Sequence, residues 1–256
     1  MIKTAFITGA ASGIGKSTVE ALYANGWTLG IADINLDALK EYSANWDPNR
    51  VHCYQLDVRD ANQVTDCIKS FAENNKQRLN LLFNCAGILQ IDRFEDVSTA
   101  RHQQIFDINV MGVVHGCQAA FPYLRNTPKS QVINMSSASA TYGVPHLASY
   151  SASKFAVRGL TEALNIEWAD HKISVTDIMP PFVNTHMVTS QTSESRILNR
   201  LGVNLDAKDI TAAILAQIQN PKTHRAVSLQ FQILYALNQI TPSWLNRQMM
   251  RFLNRP

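Results

Sequence analysis

The chain lacks the marks of a spanning, secreted or disordered protein. No apolar run reaches the roughly eighteen residues that a transmembrane helix needs. Met1-Ile2-Lys3-Thr4 runs straight into an apolar stretch with no signal-peptide region, so the expected address is the cytoplasm. Charged residues make up 17% of the chain and apolar residues 46%, a balance that excludes a disordered polyelectrolyte. Cys53, Cys67, Cys85 and Cys117 lie in apolar segments without C-x-x-C spacing; buried reduced thiols are expected, with no metal and no disulfide. No repeat or interdomain linker is evident, and residues 1–256 are expected to form a single domain.

Acidic residues are missing altogether after Asp209. Lys222, Arg225, Arg247, Arg251 and Arg255 follow it, so the net charge of +3 is a property of the tail, and the remainder of the chain is slightly acidic.

What is present is an alternation of short apolar runs and helical patterns. Strands are expected at 2–7, 28–32, 51–56, 79–83, 131–135, 173–178 and 224–230. Helices are expected from Gly15 to about Asn25 and at 36–44, 60–74, 99–124 with a break near Asn109, 148–170 and 206–219. β and α in strict turn imply a doubly wound parallel sheet, which binds ligands at the carboxyl ends of its strands. Asp57, Asn84, Ser137 and Pro180 fall at such ends.

Between the first strand and helix stands Thr8-Gly9-Ala10-Ala11-Ser12-Gly13-Ile14-Gly15. Glycines there permit a tight turn and let backbone N–H groups approach a pyrophosphate, and the helix N-terminus adds positive potential. The spacing is G-x-x-x-G-x-G, not the G-x-G-x-x-G of the common dinucleotide fingerprint. Asp33 ends the second strand 18 residues after Gly15. At that offset a carboxylate accepts hydrogen bonds from the adenosine ribose and repels a 2′-phosphate, which predicts NAD rather than NADP. The competing role for Asp33 is to cap the helix at 36–44.

Tyr150 and Lys154 are four residues apart, about one helical turn, so their side chains share a face. A nearby ammonium favours the phenolate and lowers the tyrosine pKa from its usual value near ~10. The pair is a candidate proton-transfer device.

Thr8-Gly9-x-x-x-Gly13-x-Gly15, Asp57, Asn84-x-Ala86-Gly87, Asn109, Ser137, Tyr150-x-x-x-Lys154 and Pro180 follow one another in an order that resembles the short-chain dehydrogenase/reductase family over about the first 230 residues. The resemblance implies a Rossmann-type sheet flanked by helices on both faces and a homodimer or homotetramer. It implies a catalytic set of Asn109, Ser137, Tyr150 and Lys154, with Ser137 chosen over Ser136 because it precedes Tyr150 by the family's 13 residues. In these roles Tyr150 exchanges the hydroxyl proton, Ser137 donates to the carbonyl or alkoxide oxygen, Lys154 also bonds the nicotinamide ribose, and Asn109 holds a water relay. The implied cofactor site comprises Thr8, Gly9, Ser12, Gly13, Ile14, Gly15, Asp33, Asp57, Val58, Asn84, Ala86, Gly87, Tyr150, Lys154, Pro180, Val183 and Thr185. Two departures stand out: Cys85 replaces a second asparagine, and Pro181, which lacks an N–H, replaces a flexible glycine.

Leu89, Tyr142, Val144, Phe182 and Met187, with Ser137, are the expected substrate contacts. Their apolar character predicts a hydrophobic secondary alcohol or ketone. A polar stretch, Thr189 to Ser195, reads as part of a lid over about 185–205. Residues 243–254 have helical periodicity, with Leu245, Met249, Phe252 and Leu253 on one side and Arg247, Arg251 and Arg255 on the other. Such a helix packs on its own domain or a second subunit, or contacts an anionic membrane. No groove-reading motif accompanies the basic face, so no nucleic-acid partner is expected. A catalytically silent nucleotide-binding scaffold on the same fold is the alternative to an enzyme; an intact Ser137, Tyr150 and Lys154 speaks against it.

Overall fold

Each central strand divides its side chains between two apolar layers. Along β1 (Thr4–Thr8) Ala5 and Ile7 enter one layer and Phe6 the other, as the period-two pleat requires. The same division runs through β2 (Thr28–Asp33), β4 (Leu81–Asn84) and β5 (Gln131–Met135). In the computed structural model, which describes residues 3–191, 202 and 205–254, these strands join β3 (Val51–Gln55), β6 (Ser174–Met179) and β7 (His224–Ala226). The result is one seven-stranded parallel sheet in the order β3-β2-β1-β4-β5-β6-β7.

Val19 and Leu22 of α1 (Gly13–Ala24), Leu39 of α2 (Leu36–Ser43) and Ile210 and Ile214 of α8 (Ala207–Gln219) cover the first face. The second face packs on Val64, Ile68 and Phe71 of α3 (Ala61–Asn74), Val113 and Leu124 of α5 (Gly112–Arg125) and Val157 of α6 (Ala148–Glu167). β1 pairs with Ala32 on one side and Asn84 on the other through Thr8. The chain reverses direction of winding between β1 and β4, and the crevice outside their carboxyl ends is the expected ligand position.

The break near Asn109 is a π-turn. α4 (Thr99–Phe106) runs through Asp107–Met111, which is π-helical, directly into α5. Single π-turns widen a helix locally and concentrate at functional positions.

The end of the chain differs from expectation. The strand expected over 224–230 stops at Ala226, and α9 (Leu229–Ile240) follows. Leu229, Phe231 and Ile233 alternate with glutamines, a local pattern compatible with a strand. Ser228 ends it: its φ is +73° and its hydroxyl accepts from Phe231 N at 3.3 Å, starting the helix. α10 (Ser243–Leu253) forms as expected; of its apolar side Leu253 packs inward, together with Met250 and the buried Asn246, while Leu245, Met249 and Phe252 are exposed. Of the expected lid, α7 (His186–Thr189) is helical and Val183 bridges to Leu205; 192–201, 203 and 204 lie outside the described residues. All four cysteines are free, but only Cys117 is fully buried.

Candidate active site

β1 leaves the sheet at Thr8 and turns through Gly9 into α1. Gly9 has φ +68°, and a Cβ there would stand 2.7 Å from Ala86 N and Cα; Gly13 has φ +53°. Neither position accepts an ordinary L side chain without strain. The Thr8 hydroxyl accepts from Cys85 N at 3.1 Å and Ala86 N at 3.2 Å, which ties the glycine turn to the segment leaving β4. This bare, narrow turn fits a pyrophosphate cradle.

Asp33 stands at the rim. Its Oδ2 accepts from Ala11 N and its Oδ1 from Asn35 N, both at 3.0 Å. The cap of α2 is Asn35, which accepts from Ala38 N at 3.1 Å, so the capping role considered for Asp33 is filled by its neighbour.

A cleft of about 380 Å³ opens along the strand ends. Of the predicted residues it gathers Gly9, Ser12, Gly13, Ile14, Gly15, Asp33, Asp57, Val58, Ala86, Gly87, Leu89, Ser137, Tyr150, Lys154, Pro180, Phe182, Val183, Thr185 and Met187. Thr8, Asn84, Asn109, Tyr142 and Val144 do not line it. Asn84 is buried and donates to Asn134 Oδ1 at 2.9 Å; Val144 lies in the apolar cluster behind Tyr150. Asn109 is fully buried: its Oδ1 accepts from Ile88 N at 2.8 Å, and its Nδ2 donates to Ile88 O at 3.0 Å and Ser153 Oγ at 3.1 Å. Both polar atoms of its side chain are thus engaged inside the protein, holding the segment after Gly87 against α6.

Tyr150 and Lys154 sit in the first turns of α6. Lys154 is 4% exposed, and its Nζ donates to Met135 O at 2.7 Å and lies 5.5 Å from the Tyr150 ring centroid. Burial lowers the Lys154 ammonium to about 8. Burial also pushes the Tyr150 phenol up to about 12, against a hydrogen bond from Ser137 that lowers it. The lowering expected from Lys154 is not among the effects on this phenol, and desolvation of the phenolate is the largest of them. Ser137 Oγ accepts from Ser139 N at 3.2 Å and Ser139 Oγ at 2.8 Å, which leaves its own proton for the bond to Tyr150. Ser136 is buried and directs its hydroxyl at Lys154 O.

Leu89, Ile91, Val144 and Leu147 form an apolar cluster on which Tyr150, Phe182, Val188, Met250 and Leu253 pack. Met250 and Leu253 come from α10, a contact with the cluster that no local spacing reveals. Sequence reasoning also missed the Met135 carbonyl, which has no side-chain signature, and Arg59. The Arg59 guanidinium holds Asp57 with Nη2–Oδ2 at 2.6 Å and keeps that carboxyl below its usual range. Cys85 lines the cleft, but burial pushes its thiol up to about 12. It stays protonated and a poor nucleophile.

The family model for short chain dehydrogenases matches residues 3–196. The chain is 32% identical over 197 residues to a 3-oxoacyl-[acyl-carrier-protein] reductase of Thermotoga maritima, covering 76% of this chain and 79% of that one. It is 30% identical over 203 residues to the 3-ketodihydrosphingosine reductase of Mus musculus, covering 76% of this chain and 60% of that protein. A short-chain dehydrogenase/reductase of Burkholderia phymatum in complex with NAD superposes with a TM-score of 0.81 at 25% identity, covering 92% of each chain. Similar folds at lower identity hold NADP instead. The chain belongs to the short-chain dehydrogenase/reductase family, a family of oxidoreductases built on this sheet.

Proposed function

We propose that the protein is an NAD(H)-dependent oxidoreductase of one domain, assembled as a homodimer or homotetramer, that interconverts a hydrophobic ketone and its secondary alcohol. The observation that carries this reading is the meeting of a Ser137-bonded Tyr150 phenol with the apolar cluster of Leu89, Val144 and Phe182. The two named relatives are both reductases of a 3-oxo or 3-keto group, which supports a ketone.

The residues that would hold the cofactor are the turn from Gly9 to Gly15, Asp33 at the adenosine ribose, and Lys154 with Val183 and Thr185 at the nicotinamide end. A bound nicotinamide dinucleotide supplies or accepts the hydride at the carbinol carbon. Ser137 turns its proton from Tyr150 to the carbonyl oxygen of the bound ketone, a preorganised contact of the kind worth roughly 2.7–4 kcal/mol at the transition state. Tyr150, neutral at physiological pH, gives its proton to the same oxygen as negative charge develops there. The buried Lys154 charge then steadies the phenolate left behind. In oxidation the phenolate takes the hydroxyl proton. Asn109 acts by position, because its side chain fixes the backbone beside Gly87.

NAD is favoured over NADP on two grounds. Asp33 places a negative charge where a 2′-phosphate would sit, and Arg59, the cation at that side of the cleft, is committed to Asp57.

The test is a panel of hydrophobic ketones with NADH and NADPH, followed by loss of reduced nicotinamide, for wild type and Tyr150→Phe. Wild type turns over and Tyr150→Phe falls about 10²–10⁴-fold. Equal rates in the two proteins sink the proton role; a strong preference for NADPH sinks the reading of Asp33.

A further inference from the structure

α9 and α10 leave an apolar face uncovered at the end of the chain. On α9, Leu229, Ile233, Leu237 and Ile240 are 74%, 55%, 51% and 80% exposed. Their spacing of four, four and three residues places them in one helical stripe. Trp244 and Leu245, 65% and 46% exposed, extend it into α10.

The charges on this segment have one sign. From Val227 to Asn254 there is no aspartate, glutamate or lysine. Arg247 and Arg251 are exposed, and no ion pair among the described residues includes either. The opposite side of α10 is spoken for: Met250 and Leu253 pack on the cluster that contains Tyr150 and Phe182. One helix thus packs its inner side on the apolar cluster behind Tyr150 and shows arginine, tryptophan and leucine on its outer side.

We propose that α9 and α10 dock on an anionic lipid surface, with the Leu229–Ile240 stripe at the acyl boundary and Arg247 and Arg251 on headgroup phosphates, so that the pocket draws its ketone from the lipid phase. Docking stands on this surface alone; the source of the ketone rests on the oxidoreductase reading. An apolar stripe beside arginines and an interfacial tryptophan matches a surface-lying helix. Among the described residues no helix is long and apolar enough to cross a membrane. A second copy fits less well: a two-fold contact through this face brings arginines of both copies together, with no acid in the segment to pair them.

Full-length protein is sedimented with phosphatidylcholine vesicles and with phosphatidylcholine vesicles containing phosphatidylserine. Wild type pellets with the anionic vesicles only. Arg247→Gln and Arg251→Gln each weaken partition about fivefold, the equivalent of ~1 kcal/mol per basic residue at an anionic surface. Leu237→Ser with Ile240→Ser removes binding while thermal melting stays unchanged, because both side chains are exposed. No binding to anionic vesicles, equal binding to both vesicle types, or indifference to the arginine changes overturns docking. So does light scattering that shows a dimer, without vesicle binding, that the serine variant converts to monomer. Turnover is measured in parallel on a water-soluble ketone and on a vesicle-borne one. Wild type and the arginine variants match on the first, and wild type leads on the second; equal rates on the second overturn delivery from lipid. Absence of turnover on any ketone overturns the oxidoreductase reading and leaves docking to the sedimentation result.

Discussion

Lys154 Nζ donates to the Met135 carbonyl at 2.7 Å, fastening the helix that carries Tyr150 to the end of the strand that leads into Ser137. One buried ammonium thereby sets the spacing of the two groups proposed to share the substrate oxygen. Its folded pKa, lowered to about 8 by burial, lies below the usual lysine value. The sign follows: the cost of burying the charge is fully present below about pH 8 and is relieved as pH rises toward the unfolded value near ~10.4. Lys154→Met is expected to lose ketone reduction. Its melting temperature relative to wild type should drop steadily from pH 8 to pH 10. A difference independent of pH would show that Lys154 is not a buried, perturbed ammonium.

Asp33→Asn keeps the shape and one acceptor oxygen while removing the charge. The ratio of kcat/KM with NADPH to that with NADH is expected to rise about tenfold or more, since a like charge about 4 Å from a phosphate costs ~1–4 kcal/mol at a protein surface. An unchanged ratio would place cofactor choice elsewhere in the cleft.

Asn109→Ala removes three buried hydrogen bonds and strands Ile88 N and O. A loss of about 2–4 kcal/mol in unfolding free energy is expected, read by urea denaturation. Should stability hold while activity falls, Asn109 would belong to the chemistry rather than to its support.

His224 bridges Asp177 Oδ2 and Glu162 Oε1, each at 3.0 Å, beside Arg158 and Tyr235. Burial opposes the imidazolium, but the hydrogen bond and charge of Asp177 outweigh it and raise the pKa above 6.5. A raised histidine contributes stability that is fully present below about pH 6.5 and is lost as pH climbs through the folded value. Wild type should therefore lose stability above pH 6.5 relative to His224→Gln, by paired thermal melts. Parallel curves would mean the imidazole is neutral throughout.

The order of strands and helices was readable because burial on both faces of a parallel sheet leaves apolar runs, and glycine and proline punctuate them. Gly9, Gly13 and Gly15 announced the turn for local reasons: at Gly9 and Gly15 backbone passes close to backbone where a Cβ would stand, and Gly13 takes a positive φ. Ser228 defeated the reading, since the alternation of Leu229, Phe231 and Ile233 suits a strand until a positive φ redirects the chain. What the apolar side of α10 would meet was left open, because periodicity reveals a face and not the neighbour that covers it.

By itself the sequence determined the family, the glycine turn, the acidic end of β2 and the one-turn spacing of Tyr150 and Lys154, all of which depend on local geometry and identity. Only the tertiary structure decided that Asn109 spends its side chain on Ile88 and Ser153, that burial holds the Tyr150 proton, and that Met250 and Leu253 pack on the cluster behind Tyr150. Those properties come from desolvation and from contacts between segments distant in the sequence, which depend on which surfaces the fold brings together and which it removes from water.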